Sequence, residues 1–176
     1  MIVAFIALSA FGLVLILARR LRSVTERVNL FLPVSVGMLP TRGTPVAEFE
    51  ATTTDGQQVS HRDLSSGERI FALLTTGCGD CLSEVAAFQQ HAASLSPTPV
   101  VGVIGPAEDR APIVDALNGH VQVLEEAAFG PVSSAFEINE FPAVLLIRDG
   151  YIQFAAHALA PVLAEVSNQA SAGTRR

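Results

Sequence analysis

Arg69 to Leu95 reads RIFALLTTGCGDCLSEVAAFQQHAASL, and this stretch decides the fold. Its first seven residues, RIFALLT, form an apolar run of strand length, which predicts a strand covered on both faces. From Cys81 to Leu95, the residues Leu82, Val85, Ala86, Phe88 and Ala92 fall mostly on one helical face and predict a helix packed against a core. Cys78-Gly79-Asp80-Cys81 stands at the junction. Two cysteines dropped at random among 176 positions take this spacing about once in a hundred placements, so coincidence is a weak explanation. The nucleophile of disulfide exchange is a thiolate, and the amides and dipole at a helix N-terminus stabilise it. Cys78, at that end, is expected to face solvent and attack. Cys81, one turn further in, is expected to be shielded and to resolve the mixed disulfide.

Outward from this unit, strand and helix signals alternate. Phe49 to Thr54 and Gln57 to Ser60 predict an extended pair joined at Asp55-Gly56. Pro99 to Ile104 predicts a second buried strand, Pro112 to Leu117 a short helix, Val121 to Leu124 a third strand and Val132 to Ile138 another helix. Ala143 to Ile147, Asp149-Gly150 and Tyr151 to Ala155 predict a hairpin, and Pro161 to Gln169 a closing helix. The order predicts an α/β sandwich with a mixed central sheet over residues 45–170, with 171–176 as a disordered tail.

Ahead of that domain the composition changes. Mean hydropathy is +0.42 although 16% of residues are charged, so apolar sequence must be concentrated somewhere. Met1 to Ala18, MIVAFIALSAFGLVLILA, has no charged side chain and is followed by Arg19, Arg20 and Arg22. Eighteen helical residues cover about 27 Å, enough to cross a bilayer with little tilt. The arginines follow the apolar run and no small-x-small site is present, so residues 1–18 read as an uncleaved transmembrane anchor contacting the lipid bilayer. Leu21, Val24, Val28 and Phe31 continue a helical face, and Pro33, Gly37, Pro40, Gly43 and Pro45 then break regular structure. Residues 19–44 are therefore expected to be a juxtamembrane helix and linker.

All 11 basic residues are arginine, against 17 acids. Five arginines and one glutamate before residue 45 give +4, and six arginines with 16 acids after it give −10, which sum to the net −6. An acidic domain is a poor nucleic-acid binder. Two cysteines are too few for a four-thiolate zinc site, and His61, His91, His120 and His157 show no metal-ligand spacing with them. With no cofactor-binding glycine loop either, no cofactor is expected.

The strand-CxxC-helix unit, Phe141-Pro142 before AVLLI, and the Asp149-Gly150 turn together resemble a thioredoxin-fold protein, a three-layer sandwich. The apolar N-terminus and the stretch VAEFEATTTDGQQVS make the chain more similar to the membrane-anchored TlpA/ResA/MauD-like branch, related to the AhpC/TSA proteins. The resemblance implies a thiol-disulfide oxidoreductase acting on protein thiols or disulfides, with a second redox partner. It implies that Pro142 is preceded by a cis peptide, faces the cysteine pair and aligns a backbone edge for a substrate cysteine peptide. Glu84, three residues after Cys81, matches a glutamate that ResA-like proteins carry near the active-site thiols, which implies that it accepts or relays the proton of Cys81.

The chain departs from the family pattern at two positions. Gly77 stands where many members have tryptophan, so the site is expected to be more open. Asp80 stands where proline is common, and its charge near Cys78 opposes the helix dipole, which favours the disulfide and a reductant-like potential. Two other functions use the same features. Thr75 lies three residues before Cys78 as in peroxiredoxins, but Phe71 replaces their proline and their resolving cysteine is not three residues away. A non-catalytic binding module, or a Cu(I) carrier using both thiolates, lacks Met-rich or histidine support. On location, Arg19, Arg20, Arg22 and Arg27 after the anchor place the domain in the cytoplasm by the positive-inside rule. Disulfide chemistry and the resemblance place it outside the cytoplasmic membrane, and that is the expectation adopted.

Overall fold

The computed structural model describes residues 39–173. The expected transmembrane anchor, residues 19–38 of the juxtamembrane segment, and residues 174–176 lie outside these. The described residues contain seven strands: β1 (Glu50–Thr52), β2 (Gln58–Ser60), β3 (Glu68–Thr75), β4 (Val100–Ile104), β5 (Gln122–Glu126), β6 (Ala143–Arg148) and β7 (Tyr151–Ala156). Four α-helices accompany them among the described residues: α1 (Gly79–His91), α2 (Ala107–Leu117), α3 (Pro131–Ala135) and α4 (Leu159–Gly173). The central sheet has the order β5-β4-β3-β6-β7. It is mixed, as expected, because β3, β4 and β5 run parallel while β6 and β7 pair antiparallel.

Alternation along the strands divides the core into two faces. Ile70, Ala72 and Leu74 of β3, Val101 and Val103 of β4, and Val144 and Leu146 of β6 pack against one helical layer. That layer is supplied by Val85 and Phe88 of α1, Ile113, Val114 and Leu117 of α2, and Leu159 and Val162 of α4. Phe71 and Leu73, with Leu145 and Ile147, point the other way. They meet Phe49, Val59, Leu64 and the α3 region around Val132 and Phe136. Phe49, Phe71 and Phe136 stack together there, with Phe71 and Phe136 centroids 4.6 Å apart. RIFALLT is thus covered on both sides, which is why it carries no alternation of polar residues.

Several element bounds differ from expectation for identifiable reasons. Leu82 and Ala86 are exposed rather than packed, because the buried stripe of α1 is Cys81, Val85 and Phe88, continued by Ala92. Helix α2 starts five residues before Pro112, which sits inside it. The proline removes the bond that Glu108's carbonyl would accept, and Glu108 lies in an exposed turn, where that loss is tolerated. Helix α3 stops at Ala135, since Phe136 and Glu137 close it with Glu137 at φ +54. Helix α4 starts two residues early and runs to Gly173, into the segment expected to be a tail.

The segments on either side of β1 reach the two sheet edges, the one before it at β7 and the one after it at β5. Gly43 donates to the Ile152 carbonyl of β7 and Val46 to that of Gly150 in the turn before it, while Thr54 donates to the Val123 carbonyl on β5. Edges closed in this way are not templates for another chain.

Candidate active site

Strand β3 delivers the cysteine pair at the C-terminal end of the parallel strands. Gly77 precedes it at φ +74, a left-handed conformation natural to glycine, and no heavy atom lies within 4 Å of where a Cβ would stand. The expected openness at this position is therefore a matter of backbone as well as of side-chain size. Beneath the loop, Thr76 donates to the Ile104 carbonyl at 3.0 Å. A Cβ on Gly105 would lie 2.2 Å from Thr76 Oγ1, so the β4 end must be glycine for the two loops to pack.

Cys78 is the N-cap of α1, with φ −104 and ψ 119. Its Sγ accepts the Cys81 backbone N–H at 3.3 Å, the sulfur counterpart of an oxygen cap. The same thiol is 3.9 Å from the carbonyl oxygen of Phe141, to which it donates. Cys78 is partly exposed, Cys81 is fully buried, and both thiols are free. Cys81 Sγ accepts the Thr75 N–H at 3.5 Å. Burial, and then the hydrogen bond with Cys78, push the Cys81 thiol up to about 12.

The Phe141-Pro142 peptide is cis, and this dipeptide lies just beyond the β3–β6 ladder, which begins at the Leu73–Ala143 pair. A groove of about 520 Å³ opens there. Asp80 and Glu84 of α1 line one side, Glu140, Phe141 and Pro142 the next, and His157 the third. Three carboxylates and no arginine face it.

Glu84 shares this groove but is not simply a solvated glutamate. Its Oε2 accepts the Leu159 backbone N–H at 2.7 Å, so it satisfies one of the donors left open at the start of α4. His157, which shows no metal-ligand spacing with the cysteines, reaches the site: its Nδ1 is 2.8 Å from the Pro142 carbonyl oxygen and its Nε2 is 3.7 Å from Glu140 Oε2. Glu140 and His157 were not legible as site residues. The available signal was the Asp149-Gly150 turn, because a hairpin brings the residue after β7 back beside the residue before β6.

No protein-family model matches the sequence, and no curated protein does. Solved structures do resemble it. The thioredoxin domain of a thiol-disulfide oxidoreductase from Bacteroides vulgatus aligns with a TM-score of 0.59 at 14% identity, covering 73% of this chain and 97% of that one. A DsbF homologue from Corynebacterium diphtheriae gives 0.59 at 14% identity, over 78% and 96%. A secreted Mycobacterium tuberculosis disulfide oxidoreductase homologous to E. coli DsbE gives 0.51 at 22%, over 62% and 82%. The fold of this domain is thioredoxin-like. Two of these three structures, those from Bacteroides vulgatus and Mycobacterium tuberculosis, are described as disulfide oxidoreductases.

Proposed function

We propose that this chain is a membrane-tethered thiol-disulfide oxidoreductase that exchanges disulfides with protein thiols through Cys78 and Cys81, in the maturation of an exported or membrane protein. The observation that carries the reading is the placement of Cys78: at the helix N-cap, with an amide on its sulfur, partly exposed, and beside the Phe141 backbone. The fold it shares with disulfide oxidoreductases supports it.

The exchange proceeds in two displacements. The Cys78 thiolate attacks one sulfur of a substrate disulfide, forming a mixed disulfide and expelling the first substrate thiolate. Cys81 then loses its proton and attacks Cys78 Sγ, forming the Cys78–Cys81 disulfide and releasing the second substrate thiolate. Two electrons pass to the substrate, and a dithiol partner restores the reduced pair. The high proton affinity of Cys81 makes Cys78 the first attacker and keeps Cys81 in reserve. Its proton goes to Glu84, one of the two carboxylates of α1 that line the adjoining groove. Pro142 and Phe141 present the backbone edge along which the substrate lies. The negative charge of Asp80 beside the pair favours the disulfide, and hence a reductant-like potential.

Residues 1–18 tether the domain to the bilayer, and the domain works on the extracytoplasmic face. The length and apolarity of that segment and the chemistry of the pair support this placement. An impermeant maleimide applied to intact cells after impermeant reduction labels the pair if the placement holds, whereas labelling only after lysis puts the domain inside.

The function itself is tested by reduction of insulin or a peptide disulfide. Wild-type protein is expected to be active, Cys78→Ser inactive, and Cys81→Ser arrested as a mixed disulfide visible under non-reducing conditions. Full activity in Cys78→Ser, or consumption of hydrogen peroxide in place of disulfide reduction, would refute the reading.

A further inference from the structure

His157 follows the last residue of β7 and precedes α4. The β6–β7 ladder closes at the Val144–Ala156 pair, so the backbone of β7 contributes no further rung to the loop carrying Glu140, Phe141 and Pro142. The imidazole supplies one instead. A carbonyl oxygen only accepts, so the 2.8 Å contact means that Nδ1 carries a proton and donates it to Pro142. On its other side the ring lies 3.7 Å from the Glu140 carboxylate. The histidine side chain is 55% exposed, so burial does not impose these contacts. What they accomplish is local: the loop is gripped from the β7 side, while its opposite side, at the Phe141 carbonyl, meets Cys78 Sγ.

We propose that His157 is a positioning residue for disulfide exchange, holding the Glu140–Pro142 loop from behind so that the Phe141 edge is already in place when a polypeptide enters the groove. The inference rests on the oxidoreductase reading above. Ordering backbone costs free energy, and a loop fixed before binding removes that cost from the encounter. The effect of His157 therefore falls on capture of a polypeptide and spares the intrinsic reactivity of Cys78. Asp80 and Glu84 of α1 and Glu140 of the loop are the charged groups sharing the groove with it.

The experiment measures reduction of a cysteine-peptide disulfide by full-length protein, together with alkylation of Cys78 by iodoacetamide. His157→Ala is expected to raise KM about three- to tenfold, the size of one lost hydrogen bond, with kcat and the alkylation rate unchanged. His157→Asn, whose amide nitrogen can stand near the Nδ1 position, is expected to restore KM, and His157→Gln is expected to resemble alanine. Amide hydrogen exchange at Phe141 and Ala143 should quicken in His157→Ala and His157→Gln alone. Unchanged KM and exchange in His157→Ala would overturn the inference, as would asparagine behaving like alanine or a parallel fall in alkylation. If His157→Ala does not fold, the asparagine-glutamine comparison decides. If wild-type protein leaves the peptide oxidised, the oxidoreductase reading fails, and the exchange measurement still decides whether His157 holds the loop.

Discussion

Gly77 and the two cysteines occupy consecutive decisions of the chain: a left-handed residue, a helix cap and a first buried turn. Because nothing crowds a Cβ at Gly77, the cost of Gly77→Ala is conformational alone, about 1–2 kcal/mol. Urea denaturation of the reduced protein should record that loss, and an unchanged midpoint would mean that the loop relaxes freely. Most of this scale could be read in the sequence. The i, i+3 cysteines at a strand-to-helix junction led directly to the cap and to the difference in burial between Cys78 and Cys81. The role expected of Glu84 rests on the resemblance, and its bond to Leu159 crosses 75 positions of sequence and has no local signature.

At the scale of elements, that bond joins α1 to α4, and its two consequences separate by substitution. Glu84→Gln keeps an acceptor for the Leu159 N–H and should leave thermal stability nearly unchanged. Glu84→Ala removes the acceptor and should destabilise the domain by about 1 kcal/mol, as loss of a helix cap does. If Glu84 also takes the Cys81 proton, glutamine should slow resolution of the mixed disulfide while remaining as stable as wild type. Equal resolution rates in wild type and Glu84→Gln would remove the carboxylate from the chemistry and leave it as a cap. Helices were read less well than strands for a physical reason. Pro112 resembles a helix start, yet an exposed turn tolerates it mid-helix, whereas buried strands such as AVLLI admit almost no polar residue to blur the pattern.

For the whole molecule, the order of strands and the mixed sheet followed from the alternation of elements, while the covering of both edges by residues 43–54 did not. Those contacts pair segments distant in sequence and use backbone groups that no side-chain pattern encodes. Burial of Cys81 couples this architecture to pH. Its folded-state proton affinity exceeds its ordinary value near 9, so the thiol contributes stability that is complete below about 9 and is lost as pH rises towards about 12. Denaturation midpoints measured from about pH 8 to about pH 11 should fall more steeply for the reduced than for the oxidised domain, and Cys81→Ala should flatten the difference. Parallel profiles would contradict the burial of that thiol.

The central claim is that Cys78 and Cys81 form one reversible two-electron couple. Equilibration in graded dithiothreitol buffers, followed by acid quenching, alkylation and mass measurement, tests it directly. The account predicts that both thiols disappear together in one transition, with the ratio of oxidised to reduced protein changing tenfold for about every 30 mV and no linked dimer. Thiols that titrate separately, form only intermolecular bonds, or stay reduced throughout would contradict it.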